Sequence, residues 1–135
     1  MTETATSEPA IAAAVIVRDG RVLLIRRRLR EGALLWALPS GGVEAGEAPA
    51  DAARRESLEE VGLSVTPVES LGERVHPITG RRMHYFACTP DDGTPEVRDN
   101  DEIAELAWVG RSQVSELVPG GFFDKVERYL AQELT

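Results

Sequence analysis

One stretch of this 135-residue chain carries both its own start and its own stop, and it constrains the rest. Residues 49–61 are predicted to form a helix. Pro49 suits the first helical position, Asp51 favours the positive end of the helix dipole, and Gly62 suits a left-handed stop. Ala50, Ala53, Ser57 and Val61 make a small-residue face that permits close packing on a sheet. Glu56, Glu59 and Glu60 stand at i, i+3 and i+4, within an arc of about 100°. At about 5 Å and an effective dielectric near 20, one pair of such charges costs about 3 kcal/mol. Only Arg54 and Arg55 lie close in sequence, so something cationic should neutralise the face. Hard divalent ions take oxygen ligands, and Mg²⁺ is held by a few carboxylates together with substrate phosphates. The bland alternative is a solvated glutamate face.

The elements around this helix are predicted from periodicity and turn chemistry. Ile11–Val17 and Val22–Ile25 read as two strands joined at Asp19-Gly20, a hairpin signal. Residues 29–46 read as a long loop holding Leu34, Leu35, Trp36 and Leu38 and then Pro39-Ser40-Gly41-Gly42. A loop of that length inside a compact domain is usually functional. Residues 63–75 hold strand material interrupted by Pro67, residues 82–89 another strand, and residues 90–101 an acidic turn region. A strand over 103–109 carries Trp108, Ser112 is expected to cap a short helix reaching Leu117, and residues 122–133 form an amphipathic C-terminal helix. The order predicts an α/β fold, a mixed sheet with helices on it, as one domain over 10–135 after a disordered tail at 1–9.

Composition removes several classes of function. A net charge of −8 argues against a nucleic-acid backbone as partner. The apolar runs fall short of the roughly 20 residues that cross a bilayer, which argues against a membrane role. The first ten residues have neither the basic start nor the apolar stretch of a signal peptide, and the expected compartment is cytoplasmic. Cys88 is the only cysteine, which excludes an intrachain disulfide framework and a Cys-based zinc site. His76 and His84 lack metal-ligand spacing and read as ordinary strand residues. Charge is uneven: residues 41–63 carry −4, residues 91–105 carry −6 and residues 18–31 carry +4. Cations and phosphates could meet where such segments converge, or all three could be solvated surfaces.

From Gly41 the chain runs through five residues to Glu47, through seven more to Arg55-Glu56, and on through Glu59-Glu60 to Gly62-Leu63. This resembles the Nudix box, G-x5-E-x7-R-E-U-x-E-E-x-G-U, where U is apolar. All seven fixed positions match; a chance match is on the order of 10⁻⁶ at average residue usage. Ser57 departs from the pattern, standing where an aliphatic residue is usual. Trp36 and Pro39, the arginine-rich end of the second strand and Trp108-Val109 also look like this family. The resemblance implies an α/β/α sandwich with the box as loop–helix–loop. It also implies hydrolysis of a nucleoside diphosphate linked to another moiety, such as a nucleoside triphosphate, with Mg²⁺ or Mn²⁺.

By position, Glu56, Glu59 and Glu60 match the family's metal-binding glutamates, and Ser40 stands where a backbone carbonyl serves as a ligand. Glu102 lies where related enzymes supply one more ligand, although seven local acids compete for that role. Glu56 or Glu59 is the candidate general base; the family also places bases on distant loops, which here means Glu102 or a neighbour in the acidic run. Arg27 matches a phosphate-contacting arginine, or is simple exposed charge. Gly41, Glu47, Arg55 and Gly62 are read as structural, with Glu47 and Arg55 forming a salt bridge. Phe122 could stack on a base, or with Phe123 pack as core. The partner is then a small nucleotide, with a homodimer allowed. The competing readings are a non-hydrolysing nucleotide or ADP-ribose sensor on the same fold, and a structural cation-binding domain.

Overall fold

The computed structural model describes residues 8–29, 32–77 and 79–135. Residues 1–7, which make up most of the expected tail, lie outside them. Glu8 and Pro9 lie inside, and Arg81 holds both: its guanidinium donates to the Pro9 carbonyl at 2.6 and 3.1 Å and approaches the Glu8 carboxylate at 3.6 Å.

Strand β1 (Ile11–Arg18) and strand β2 (Arg21–Arg28) form the expected hairpin. Asp19 and Gly20 take φ of 51° and 75°, the two left-handed residues of a tight turn whose twist suits the flanking strands. The region 29–46, expected as a loop, instead contains strand β3 (Leu34–Ala37) and strand β4 (Ser40–Gly42). Both are short: β3 folds back antiparallel on the far end of β2, and β4 lies antiparallel on the more distant β1. Neither pairing leaves a periodic pattern of its own. Helix α1 (Pro49–Val61) has the expected bounds, with Pro49 in its first turn and Gly62 at φ 66° donating to the Leu58 carbonyl.

Strand β5 (Val65–Val75) runs through Pro67 without a break, and shifts of register against its neighbour absorb the proline. Strand β6 (Arg82–Pro90) pairs antiparallel with β5 and parallel with β1, from Ile11 opposite Met83 to Ile16 opposite Cys88. Strand β7 (Ile103–Val109) pairs with β2. Helix α2 (Arg111–Leu117) begins two residues earlier than expected: Gly110 is its cap, and Ser112 lies within the helix and does not cap it. Helix α3 (Asp124–Glu133) starts after Phe122 and Phe123, which precede it.

The path through the sheet is β3-β2-β1-β6-β5, with β4 on β1 and β7 on β2. Alternation along β1 and β2 divides their side chains between two cores. Ala13, Val15, Val22 and Leu24 pack with Val126 and Leu130 of α3. Ala12, Ala14, Ile16, Leu23 and Ile25 pack with Ala52, Ala53 and Val61 of α1. The result is the expected α/β/α sandwich around a mixed sheet. Ala12 and Ala14 carry little bulk, which lets α1 pack close on β1. Among the described residues no helix is long and apolar enough to cross a membrane.

Candidate functional site

The box segment turns a corner at β4, and that corner sets the site. Gly41 pairs with Ala12 in the sheet, and the Glu56 carboxylate lies directly against it: a β-carbon at Gly41 would fall 2.1 Å from the Glu56 carboxyl carbon. Ser57, the departure from the box pattern, is fully buried, and its hydroxyl donates to the Leu63 carbonyl at 2.9 Å. The polar side chain therefore ties the end of α1 to the chain leaving it, on the small-residue face that meets the sheet.

Arg55 organises the loop. Its Nε and Nη2 donate to the two Glu47 oxygens at 2.9 Å each, and Nη2 also donates to the Gly42 carbonyl at 2.8 Å. Its Nη1 donates to Glu56 at 2.8 Å and to Glu59 at 3.2 Å. The structural salt bridge expected of Glu47 and Arg55 is thus present, and Arg55 spans two of the three helix glutamates besides. The Arg55 hydrogen bonds, with the Glu44 backbone N–H, hold the Glu47 carboxyl down at about 2.

A consequence for acid stability follows. A carboxyl whose pKa falls on folding contributes stability above its unfolded value, and that contribution disappears as pH falls through the folded value. Glu47 should therefore steepen the loss of stability between about pH 4.5 and pH 2. Denaturant unfolding of Glu47→Gln at several pH values should give lower stability than wild type at pH 6 and a shallower decline below pH 4.5. Parallel curves would refute the coupling.

Glu60 is 3% exposed. Its Oε2 pairs with Arg27 Nη2 and its Oε1 accepts from the Ser40 backbone N–H, both at 2.9 Å. Burial nevertheless pushes its carboxyl up to about 7, against the pull of Arg27. Burial also raises Glu56, opposed by Arg55. Arg27 reaches Glu60 because β2 carries an irregularity between Arg26 and Arg27 where it pairs with β7, which re-aims the strand end. Its other nitrogen, Nη1, lies 3.3 Å from the exposed Glu102 carboxylate. The expectation that the glutamate face lacks protein counter-charge is corrected: Arg27 and Arg55 supply it. Arg27 comes from a strand 33 residues away, so sequence proximity to the helix could not reveal it.

These groups line one cleft of about 670 Å³, with Arg27, Ser40, Gly41, Glu56, Glu59, Glu60 and Glu102 in its walls. Sequence reasoning missed Asp99, His76 and Arg81, which also line it. Asp99 was hidden among the seven acids of 91–105. It is positioned because the backbone N–H groups of Glu96 and Arg98 donate to the Val61 and Glu60 carbonyls, folding that segment over the end of α1. His76 follows β5 in a turn, outside any strand, whereas His84 lies within β6 as expected and approaches Glu73 at 3.1 Å. Phe122 does not reach the cleft; it lines a neighbouring apolar pocket, while Phe123 stacks on Tyr85 with ring centres 5.3 Å apart.

The cleft suits a hard cation in its chemistry. Five carboxylates, those of Glu56, Glu59, Glu60, Asp99 and Glu102, outnumber the guanidinium groups of Arg27 and Arg81, so oxygen donors predominate. Among the described residues no three acidic, His or Cys side chains are gathered as a metal cluster.

The NUDIX domain profile matches residues 7–130. A MutT-like protein of Streptomyces ambofaciens is 34% identical, aligning 84% of this chain with 73% of its own length. The CTP pyrophosphohydrolase of Escherichia coli is 36% identical over 69% of this chain and 71% of its own. Two further curated relatives are longer, and the chain spans 33% and 40% of them. A NUDIX hydrolase from Nitrosomonas europaea superimposes with a TM-score of 0.78 at 24% identity, covering 95% of this chain and 92% of that one, which speaks for the fold. With the box residues converging on one carboxylate-lined cleft and the profile spanning nearly the whole sequence, the chain belongs to the NUDIX family.

Proposed function

We propose that this chain hydrolyses a nucleoside diphosphate linked to a further group, a nucleoside triphosphate being the simplest such substrate, in the presence of Mg²⁺ or Mn²⁺. The observation that carries the reading is the cleft in which three glutamates of one helix face meet Arg27. Binding a diphosphate needs positive charge at its oxygens, and hydrolysing it needs a proton acceptor beside an attacking water. The likeness to a CTP pyrophosphohydrolase supports the same substrate class.

Glu56, Glu59, Glu60, Glu102 and the Ser40 carbonyl would hold the divalent ion. When bound, such an ion neutralises phosphoryl oxygens and acidifies a water. Arg27 donates charge-assisted hydrogen bonds to a phosphate oxygen, giving up part of its contact with Glu102 to do so. Glu56 or Glu59 takes the proton as the water oxygen bonds to phosphorus and the bridging phosphorus–oxygen bond breaks. Arg55 and Glu47 keep α1 and its loop in register. Phe122 lies beyond the cleft, where the nucleoside end of a substrate extends.

The test is product analysis on a panel of nucleoside triphosphates and nucleoside diphosphate conjugates, with Mg²⁺, with Mn²⁺ and in excess chelator. Turnover is expected with either ion, and is lost on chelation and regained on adding metal back. Binding without any hydrolysis across the panel would favour the sensor reading, and undiminished hydrolysis in chelator would remove the metal from the mechanism.

A further inference from the structure

Beside the cleft lies a second cavity of about 350 Å³, walled by Trp36, Leu38, Tyr85, Leu117 and Phe122. Ser40, His76 and Met83 line both spaces, so the two are direct neighbours. The volume lies within the range of small-ligand sites, about 300 to 1,000 Å³. No Asp or Glu lines this pocket, yet Arg74 does. Its Nε donates to the Tyr85 hydroxyl at 3.2 Å, and its guanidinium lies 5.9 Å from the Tyr85 ring centre and 5.4 Å from that of Phe123. Among the described residues no carboxylate pairs with it, and no hydrogen bond takes its two terminal nitrogens.

We propose that Arg74 is a specificity-determining residue that reads the base of the substrate, its terminal nitrogens favouring a purine with a 6-oxo group over one with a 6-amino group. This rests on the nucleotide-hydrolase reading above and names the kind of base it takes. A guanidinium is all donor and presents its N–H groups in a planar fork. A 6-oxopurine offers that fork two acceptors side by side, O6 and N7, the pairing arginine makes with guanine. A 6-aminopurine puts an N–H₂ donor at the same edge, against the arginine donors and with no carboxylate in the pocket to accept it. The Nε bond to Tyr85 and the two aromatic faces hold the fork in place, so little freedom is lost on binding. A ligand whose phosphates occupy the cleft reaches this pocket with its base, past Ser40 and Met83.

Inosine and adenosine nucleotides are the informative pair, because they differ chiefly at this edge. Wild-type protein should prefer ITP to ATP in kcat/KM, and bind IMP more tightly than AMP by calorimetry, by about 5- to 150-fold. Arg74→Met keeps the length and removes the donors, so both ratios should fall to about 2 or less on the same reasoning. Arg74→Lys should recover only part of the preference, because it keeps the charge and loses the fork. A purely structural Arg74 would change stability or the amount of active protein and leave each ratio as it was. Equal affinities in wild type, preference for AMP, failure to bind either monophosphate, or a ratio unchanged in Arg74→Met would overturn the proposal. If neither triphosphate is turned over, it is the hydrolase reading that fails; the IMP to AMP binding ratio still decides the role of Arg74.

Discussion

Glu60→Gln is expected to lower kcat by about two orders of magnitude or more while leaving the fold intact, as removal of a charged group acting on the transition state does. Both Glu60 oxygens are engaged, one by the Ser40 N–H and one by Arg27. A glutamine oxygen can still accept from Ser40, but its N–H₂ then faces the Arg27 guanidinium, donor against donor. Arg27 loses its anchor and the cleft loses the most buried of its negative charges. Stability should fall only modestly, because the lost Arg27 contact is offset by the desolvation a neutral amide avoids, and Arg27 keeps solvent and Glu102 as partners. A fall in kcat far larger than any fall in Tm accounts for is therefore the signature. Glu44→Gln serves as the control. Glu44 is exposed and lies 3.7 Å from Arg55, a surface pair worth about 1 kcal/mol at most. Near wild-type turnover by Glu60→Gln would remove Glu60 from the machinery.

That experiment depends on features of unequal visibility in the sequence. The bounds of α1 were legible because proline and glycine act locally: each restricts its own backbone whatever the rest of the fold does. The hairpin at Asp19-Gly20 was legible for the same reason. Strands β3 and β4 were not, because four and three residues carry too little alternation, and their partners lie on strands that precede them by several residues or more. The cap of α2 was misplaced by giving Ser112 the role that the Gly110 backbone fills. In the site, Glu56, Glu59 and Glu60 shared a face by helix spacing alone. Their counter-charges could not be seen, since Arg27 arrives by a strand irregularity that depends on β7. Arg74 was equally hidden: as one of fourteen arginines it carries no motif, and only the register of β5 against β6 brings it to Tyr85.

Gly41→Ala should reduce kcat/KM by about 10-fold or more, while Gly42→Ala, one residue on, should be close to neutral. Neither glycine has a positive φ, so backbone strain does not separate them. Space does. A β-carbon at Gly42 meets nothing within 4 Å, whereas one at Gly41 falls 2.1 to 2.4 Å from the Glu56 carboxylate. The carboxylate is the far end of a flexible side chain, so it can move aside with modest loss of stability. Moving it, however, breaks its 2.8 Å contact with Arg55 and carries a cleft-lining charge out of position. A displacement of about 1 Å in a catalytic group can cost on the order of 100-fold in rate. The effect should act through Glu56, so Glu56→Gln and Gly41→Ala combined should lose much less than the product of their separate losses, as expected for groups in direct contact. Equal activity in Gly41→Ala and Gly42→Ala, or fully multiplicative losses in the double variant, would show that Glu56 does not have to lie against β4 for the cleft to work.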